Sequence, residues 1–174
     1  SILISIFISG YHGKTTDFAK NSSCHRTTIA HFLNSGKWDD PLLSDTLKRS
    51  VIEIIYSEAA RTGKPVFCIV DDTIAVDETL SYYAGRWPIE IFFRQCKDKL
   101  ALDSYQIRSA QGIRRYWLLM SMAHFMCVAG TGEFCSFEKG YHRIESIIQT
   151  EKYQYLFQCV KESNDFDAFM KLAG

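Results

Sequence analysis

Residues 82–97 read YYAGRWPIEIFFRQCK, and this stretch decides how the rest of the chain is interpreted. If it is helical, four side chains share one face, because offsets of three, seven and fourteen residues keep them within about 60° of one another. They are Tyr83, Arg86, Glu90 and Lys97. Such a stripe can bind a divalent metal ion through its carboxylate, while its two cations and its phenol hold phosphate oxygens. The pattern therefore favours chemistry on a nucleic-acid backbone.

The pattern Y-x2-R-x3-E-x6-K resembles the signature of bacterial insertion-sequence transposases of the DDE type in all four residues and all three gaps. The resemblance implies an RNase H-like catalytic domain whose metal-binding triad ends in Glu90. It also implies that Tyr83, Arg86 and Lys97 hold the phosphates of the transposon ends beside the scissile bond. The alternative is an amphipathic helix with an ordinary charged surface, in which each ion pair contributes only tenths of a kcal/mol.

A second feature is the apolar run PVFCIV at residues 65–70, which is followed by Asp71, Asp72 and Thr73. Its β-branched residues predict a buried strand. The resembled family places its first metal ligand after such a strand, in the dipeptide D-T, so by that comparison the ligand is Asp72. Asp71 points to the opposite side of the pleat and is the other candidate. The alternative without function is a strand that ends in a solvated Asp-Asp turn.

Seventeen residues separate Asp72 from Glu90, and this spacing departs from the family. Members of the family carry a second aspartate on a later strand. Seventeen residues, which extend by about 3.3 Å each and must also form turns, are too few to build the strands that lie in between. The only acidic residues between Asp72 and Glu90 are Asp77 and Glu78. Asp77 is a further candidate ligand, and the alternative is a solvated loop charge or an acid at a helix N-terminus. We therefore expect an internally deleted transposase. Asp72 and Glu90 alone would bind Mg²⁺ or Mn²⁺ weakly, and little strand cleavage or transfer is expected.

The N-terminal region predicts a helix-turn-helix, with helices over residues 14–20 and 24–34 around a polar turn. The side chains expected to pack inward are Phe18, Ala19, Ile29, Phe32 and Leu33. Those expected to point away are His25, Arg26, Thr27, Thr28 and His31. A recognition helix uses short polar and basic side chains near its start, such as Arg26 and Thr28, to reach bases and phosphates. The alternative is a helical hairpin that only packs.

The chain has 174 residues, of which 47% are apolar. This length and apolar content are enough for the core of one domain and a small appendage. The formal net charge is zero, but four basic residues face one acidic residue in 1–38, and seven face three in 86–115. These are the two segments that the motifs assign to DNA, so binding should weaken with salt. Six cysteines without a CxxC pair are expected to be reduced and mostly buried.

Further helices are expected over residues 44–61, 116–129, 137–150, 153–161 and 165–172. The first is expected to be capped by Ser44 and closed by Gly63. Its side chains expected to point inward are Leu47, Val51, Ile54, Ile55 and Ala59. The second helix should lie buried behind the sheet. In the stretch 82–97, Pro88 predicts either a kink or the start of a helix. The apolar opening residues are too few to span a membrane, and Ser1 suggests a fragment.

The fold class predicted is α/β and helix-dominated, with a truncated RNase H-like domain preceded by an N-terminal helix-turn-helix. Its parts are a DNA-binding region at 1–38, a connecting helix at 39–64 and a catalytic remnant at 65–174. The expected partner is duplex DNA at transposon ends, with a homodimer as a further expectation and no membrane, in the bacterial cytoplasm at the nucleoid. One alternative is a non-catalytic DNA-binding or dimerising fragment that competes with an intact transposase. Another is a helical protein of unrelated role.

Overall fold

The computed structural model describes residues 2–8, 11–20, 22, 24–65, 79–130, 132 and 134–163, with the backbone alone for 79–87 and 163. These residues form seven helices and no strand, so the expected dominance of helix is confirmed. The helices are α1 Ile2–Ile6, α2 Thr15–Lys20, α3 Arg26–Ser35, α4 Asp40–Thr62, α5 Thr79–Leu100, α6 Ala110–Ala129 and α7 Phe137–Ser163. The strand predicted at 65–70 lies outside the described residues, apart from Pro65, which has no regular secondary structure.

Helix α6 forms the centre of the described structure and contacts α1, α3, α4, α5 and α7. Its buried side includes Tyr116, Leu119, Met120, Ala123 and Cys127, at the spacing of one helical face. The hydroxyl of Ser109 caps the helix by accepting the backbone N–H of Gly112 at 3.0 Å. The helix therefore begins six residues before the predicted 116, and within the described chain it packs against helices rather than behind a sheet.

Helix α7 packs closely on α6 through Gly140. A Cβ at this position would overlap the carbonyl group of Cys127, so only glycine permits this approach of the two helices. The two helices predicted at 137–150 and 153–161 are one continuous helix, because Glu151 and Lys152 between them are good helix formers. The last predicted helix, at 165–172, lies outside the described residues.

The end of α5 is joined to α6 by the buried Tyr116, which also bonds to the half-buried Tyr11. The Tyr116 hydroxyl donates to the carbonyl of Ala101, the residue after α5, at 2.9 Å, and accepts from the Tyr11 hydroxyl at 3.0 Å. Burial raises the pKa of Tyr116 to about 12 and also raises the pKa of Tyr11, so both hydroxyls stay protonated and able to donate. This network fixes where α5 ends relative to the core.

Helix α4 differs from the prediction at its start and along its length. It begins at Asp40 with Asp39 as its cap, because the Asp39 carboxylate accepts the N–H of Leu42 at 2.9 Å, so the predicted Ser44 cap is wrong. It ends as predicted at Gly63, whose φ is 63°. No residue of α4 is fully buried, but Leu47, Val51, Ile54 and Ala59 of the expected inward stripe are half-buried and only Ile55 is exposed, so the stripe is confirmed in part.

The described cysteines follow the expectation only in part. None of the five forms a disulfide, but only Cys96 and Cys127 are buried, while Cys24 is exposed and the other two are partly exposed. Among the described helices, none is both long and apolar enough to cross a membrane.

Candidate nucleic-acid interface

Helix α5 contains the four residues of the Y-R-E-K pattern. It runs from Thr79 to Leu100 without interruption, so the backbone of all four positions is helical, as their spacing requires. Pro88 lies inside the helix and not at its start. The side chains of Tyr83 and Arg86 lie outside the described part, whereas those of Glu90 and Lys97 lie within it.

The described half of α5 has one buried and one exposed face. Cys96 and Leu100 are 0% exposed and point to the core, with Phe92 packed against it. Glu90 and Lys97 are exposed, and the rise of 1.5 Å per residue puts them about 10 Å apart along the axis. That distance is too long for an ion pair, and neither residue forms a salt bridge with another described residue. Both charges are therefore accessible to a ligand.

The imidazole of His124 supports α5 from α6. Phe92 packs edge-on against it with ring centroids 4.7 Å apart, and Phe137 of α7 stacks on its other side at 5.0 Å. Burial lowers the pKa of His124, so the ring is neutral near pH 7. Its Nε2 lies 3.2 Å from the Gln95 amide oxygen, which only accepts, so the proton belongs on Nε2. This contact orients α5 and keeps Glu90 and Lys97 on the outside.

Helix α3 presents a second polar surface. All five residues expected to point away are exposed, namely His25, Arg26, Thr27, Thr28 and His31. Ile29 and Leu33 are buried at 3% and 0% exposure, as predicted. Phe32 was expected inward but is 41% exposed and stacks on Trp38, with ring centroids 4.6 Å apart.

The N-terminus of α3 can attract phosphate oxygens. His25 is its N-cap residue, and its Nδ1 lies 2.8 Å from the Thr27 hydroxyl. Backbone N–H groups of a first helical turn carry partial positive charge, which favours anions. Arg26 and Thr28 lie beside this end, so the exposed surface combines a cation with hydroxyls, while the backbone N–H groups of Thr27 and Thr28 bond to His25.

Arg115 is a residue whose role the sequence did not reveal. Its side chain is 2% exposed, and its Nε donates to both carboxylate oxygens of Asp40 at 2.9 and 3.1 Å. Its Nη1 donates to the carbonyls of Phe32 and Leu33, each at 3.2 Å, in the last turn of α3. Its guanidinium also lies 4.8 Å from the ring centroid of Trp38. Arg115 is therefore not a surface contact for DNA, although it lies in the basic segment 86–115.

The described residues do not form a complete metal site. No group of three or more His, Cys, Asp and Glu side chains in the described part could hold a metal ion. Of the two predicted ligands, Glu90 is described and Asp72 is not, and Asp71 and Asp77 also lie outside the described residues. Glu90 alone cannot fix two metal ions.

Comparison with known families agrees with the sequence pattern. Residues 9–126 match the family described as the transposase DDE domain. This match covers more than half of the 174 residues, and the chain belongs to this family of transposases. The matched segment includes α3, the pattern on α5 and most of α6. Transposases of this family act on DNA and use divalent metal ions. No curated protein and no solved structure matches the chain.

Proposed function

We propose that this chain derives from a bacterial insertion-sequence transposase and binds the duplex DNA of transposon ends through α3 and the outer face of α5. The spacing of Tyr83, Arg86, Glu90 and Lys97 on one uninterrupted helix carries the proposal. The exposure of Glu90 and Lys97 supports it, because a phosphate-binding face must be open to a partner.

Each residue of the pattern has a proposed role. Tyr83, Arg86 and Lys97 hold phosphate oxygens, since cations and hydroxyls are the groups that bind them. Glu90 and Asp72 are the proposed ligands of Mg²⁺ or Mn²⁺. When bound, such an ion would activate an attacking oxygen and stabilise a leaving one. With only these two carboxylates, the ion is proposed to bind weakly.

Helix α3 is the proposed recognition helix of a helix-turn-helix formed with α2. Phe18 of α2 is buried in the same core as Ile29 and Leu33 of α3. Arg26 and Thr28 are exposed near the start of α3, where a recognition helix contacts DNA. The proposed division is a DNA-binding region at 1–38, a connecting helix at 39–64 and the remnant of an RNase H-like domain at 65–174.

The chain is proposed to bind DNA without cutting it. Seventeen residues between Asp72 and Glu90 are too few for the strands that carry a second catalytic aspartate. The biological role that fits binding alone is competition with an intact transposase for its end sequences, as a monomer or homodimer, at the bacterial nucleoid. Reading the surrounding genomic DNA would show whether the missing central segment is encoded nearby.

The test is binding to duplex DNA of mixed sequence, with and without Mg²⁺ or Mn²⁺, between about 50 and 200 mM salt. We expect affinity to fall steeply with salt and the duplex to remain uncut. Lys97→Ala should weaken binding and reduce the slope of log K against log salt by about 1. Lys152→Ala, which removes an exposed lysine from α7, is the matched control and should bind as the unaltered chain does.

Two results would contradict this function. Metal-dependent nicking by the pure chain would show that the site is active, and the proposed defect would be wrong. Equal affinity and salt slope for Lys97→Ala, Lys152→Ala and the unaltered chain would exclude the outer face of α5 from DNA binding.

A further inference from the structure

The C-terminal end of α3 is joined to α6 and α4 by polar contacts, while its N-terminal end carries the exposed residues. Besides the two bonds from Arg115, the carbonyl of Phe32 accepts the indole N–H of Trp38 at 2.8 Å. The Asn34 side-chain oxygen accepts the hydroxyl of Ser109, the N-cap of α6. Carbonyls in the last turn of a helix lack hydrogen-bond donors within the helix. The side chains of Arg115 and Trp38 provide donors for these carbonyls of α3.

The contact between α3 and α6 has little room for movement. Gly112 of α6 lies so close to α3 that a Cβ would be 2.5 Å from the Asn34 side-chain oxygen. The Asn34 amide nitrogen also donates to the Ala30 carbonyl at 2.8 Å, which fixes the side chain that receives Ser109. The end of α3 is therefore held by the close packing of the Asn34 side chain against Gly112 as well as by hydrogen bonds.

Arg115 is the centre of this junction because it bonds to both neighbouring helices at once. Its planar guanidinium holds the Asp40 carboxylate through one nitrogen and the two α3 carbonyls through another. Lysine could not reproduce this arrangement, since its ammonium is a single point charge. The Asp40 side chain is 27% exposed and Arg115 only 2%, so Asp40 is the partner that can be altered with less damage to the core.

We propose that Arg115 is a positioning residue for DNA binding, because with Asp40 it fixes the direction in which α3 presents Arg26 and Thr28. This inference rests on the proposed function. A helix that is fixed before binding loses less conformational freedom on binding, so the junction raises affinity without touching DNA. Arg115 contributes through the orientation of α3 and makes no phosphate contact of its own.

The test compares Asp40→Asn with Asp45→Asn, which removes an equal charge from an exposed position on the same helix. Removing an acid should strengthen DNA binding if only charge matters. We expect the opposite for Asp40→Asn, an affinity about tenfold lower with an unchanged salt slope, because no phosphate contact is lost. Asp45→Asn should bind as tightly as the unaltered chain or more tightly.

Hydrogen exchange provides the second readout. In Asp40→Asn, the amides of α3 should exchange about tenfold faster while those of α6 and α7 keep their rates. Arg115→Lys should show the same pattern more strongly. If Arg115→Lys does not fold, Trp38→Phe tests the same junction, since it removes the indole donor to Phe32 and keeps an aromatic ring.

The outcomes separate this inference from the proposed function. Unchanged α3 exchange in folded Asp40→Asn would overturn the positioning role, as would faster exchange with unchanged DNA affinity. If the unaltered chain binds no duplex DNA, the proposed function fails and the positioning role fails with it. If the unaltered chain binds DNA and Asp40→Asn binds as Asp45→Asn does, only the positioning role fails.

Discussion

Helices α6 and α4 are of similar length, 20 and 23 residues, but their surroundings differ. Eight residues of α6 are buried, whereas α4 has none and exposes Ile52 and Tyr56 at 51% and 71%. Near its start α4 is joined to α6 through Asp40 and Arg115. Farther along, an open groove of about 540 Å³ lies between Ile54 of α4 and Ala129 of α6. The apolar side chains of a helix are thus buried only where other parts of the chain pack against it on several sides.

The largest effect is expected where α7 meets α6. Gly140→Ala should lower the free energy of unfolding by about 4 kcal/mol, because the new Cβ would force the two backbones apart. Urea unfolding measures this loss. Ser146→Ala, at an exposed position of the same helix, is the control and should change stability by less than about 0.5 kcal/mol. A loss below about 1 kcal/mol for Gly140→Ala would mean that α6 is less tightly enclosed than described.

The buried side of α6 gives the next largest effect. Met120 is 1% exposed, and Met120→Ala should cost about 3 kcal/mol through lost burial and the cavity left behind. Met126 on the same helix is 37% exposed, so Met126→Ala is a control with the same side-chain change. Denaturant unfolding of both variants should separate them clearly. Equal losses would remove the distinction between the two sides of α6.

The third prediction concerns pH and the contact of α6 with α5. Because burial lowers the pKa of His124 in the folded state, its neutral form contributes stability that is fully present above the unfolded pKa of about 6.5. That stability is lost as pH falls from there toward the folded pKa, with a slope of at most about 1.4 kcal/mol per pH unit. His124→Gln should reduce the pH dependence of the free energy of unfolding in this window. The control His31→Gln, at an exposed position, should leave it unchanged. Identical pH profiles for the two variants would argue against a neutral, half-buried His124.

The smallest effect is expected on α4. Ile52→Ala removes an exposed side chain and should change the free energy of unfolding by less than about 0.5 kcal/mol. Thermal unfolding and denaturant unfolding should agree on this. A loss comparable with that of Met120→Ala would show that the apolar side of α4 is covered in solution, and the contrast with α6 would disappear.

Much of the fold follows from local patterns in the sequence. The apolar spacing from Tyr116 onward predicts the buried part of α6, and Gly63 predicts the end of α4. The first turns of α6 were not predicted because residues 110–115 contain a glycine and two adjacent arginines, and Ser109 gives only a short capping signal. Asp39 was missed as a cap because Ser44 offers a similar local signal five residues later.

The candidate site is predictable to the extent that it depends on helical periodicity. The spacing places Glu90 and Lys97 on one face, and both are exposed. The junction at Arg115 could not be predicted in this way, because its partner Asp40 is 75 residues earlier in the chain. From sequence alone Arg115 resembles its neighbour Arg114, which is exposed. Only the packing of three helices distinguishes the buried guanidinium from the solvated one.

The exposure of Cys24 makes α3 chemically addressable. Among the thiols whose surroundings the structure describes, Cys24 is the exposed one, and it directly precedes the N-cap residue His25. Cys96 and Cys127 are buried, and burial raises the pKa of each to about 12, so they hold few reactive thiolates at neutral pH. A maleimide dye should therefore label Cys24 before these two, and its emission would report on whatever approaches the tip of α3.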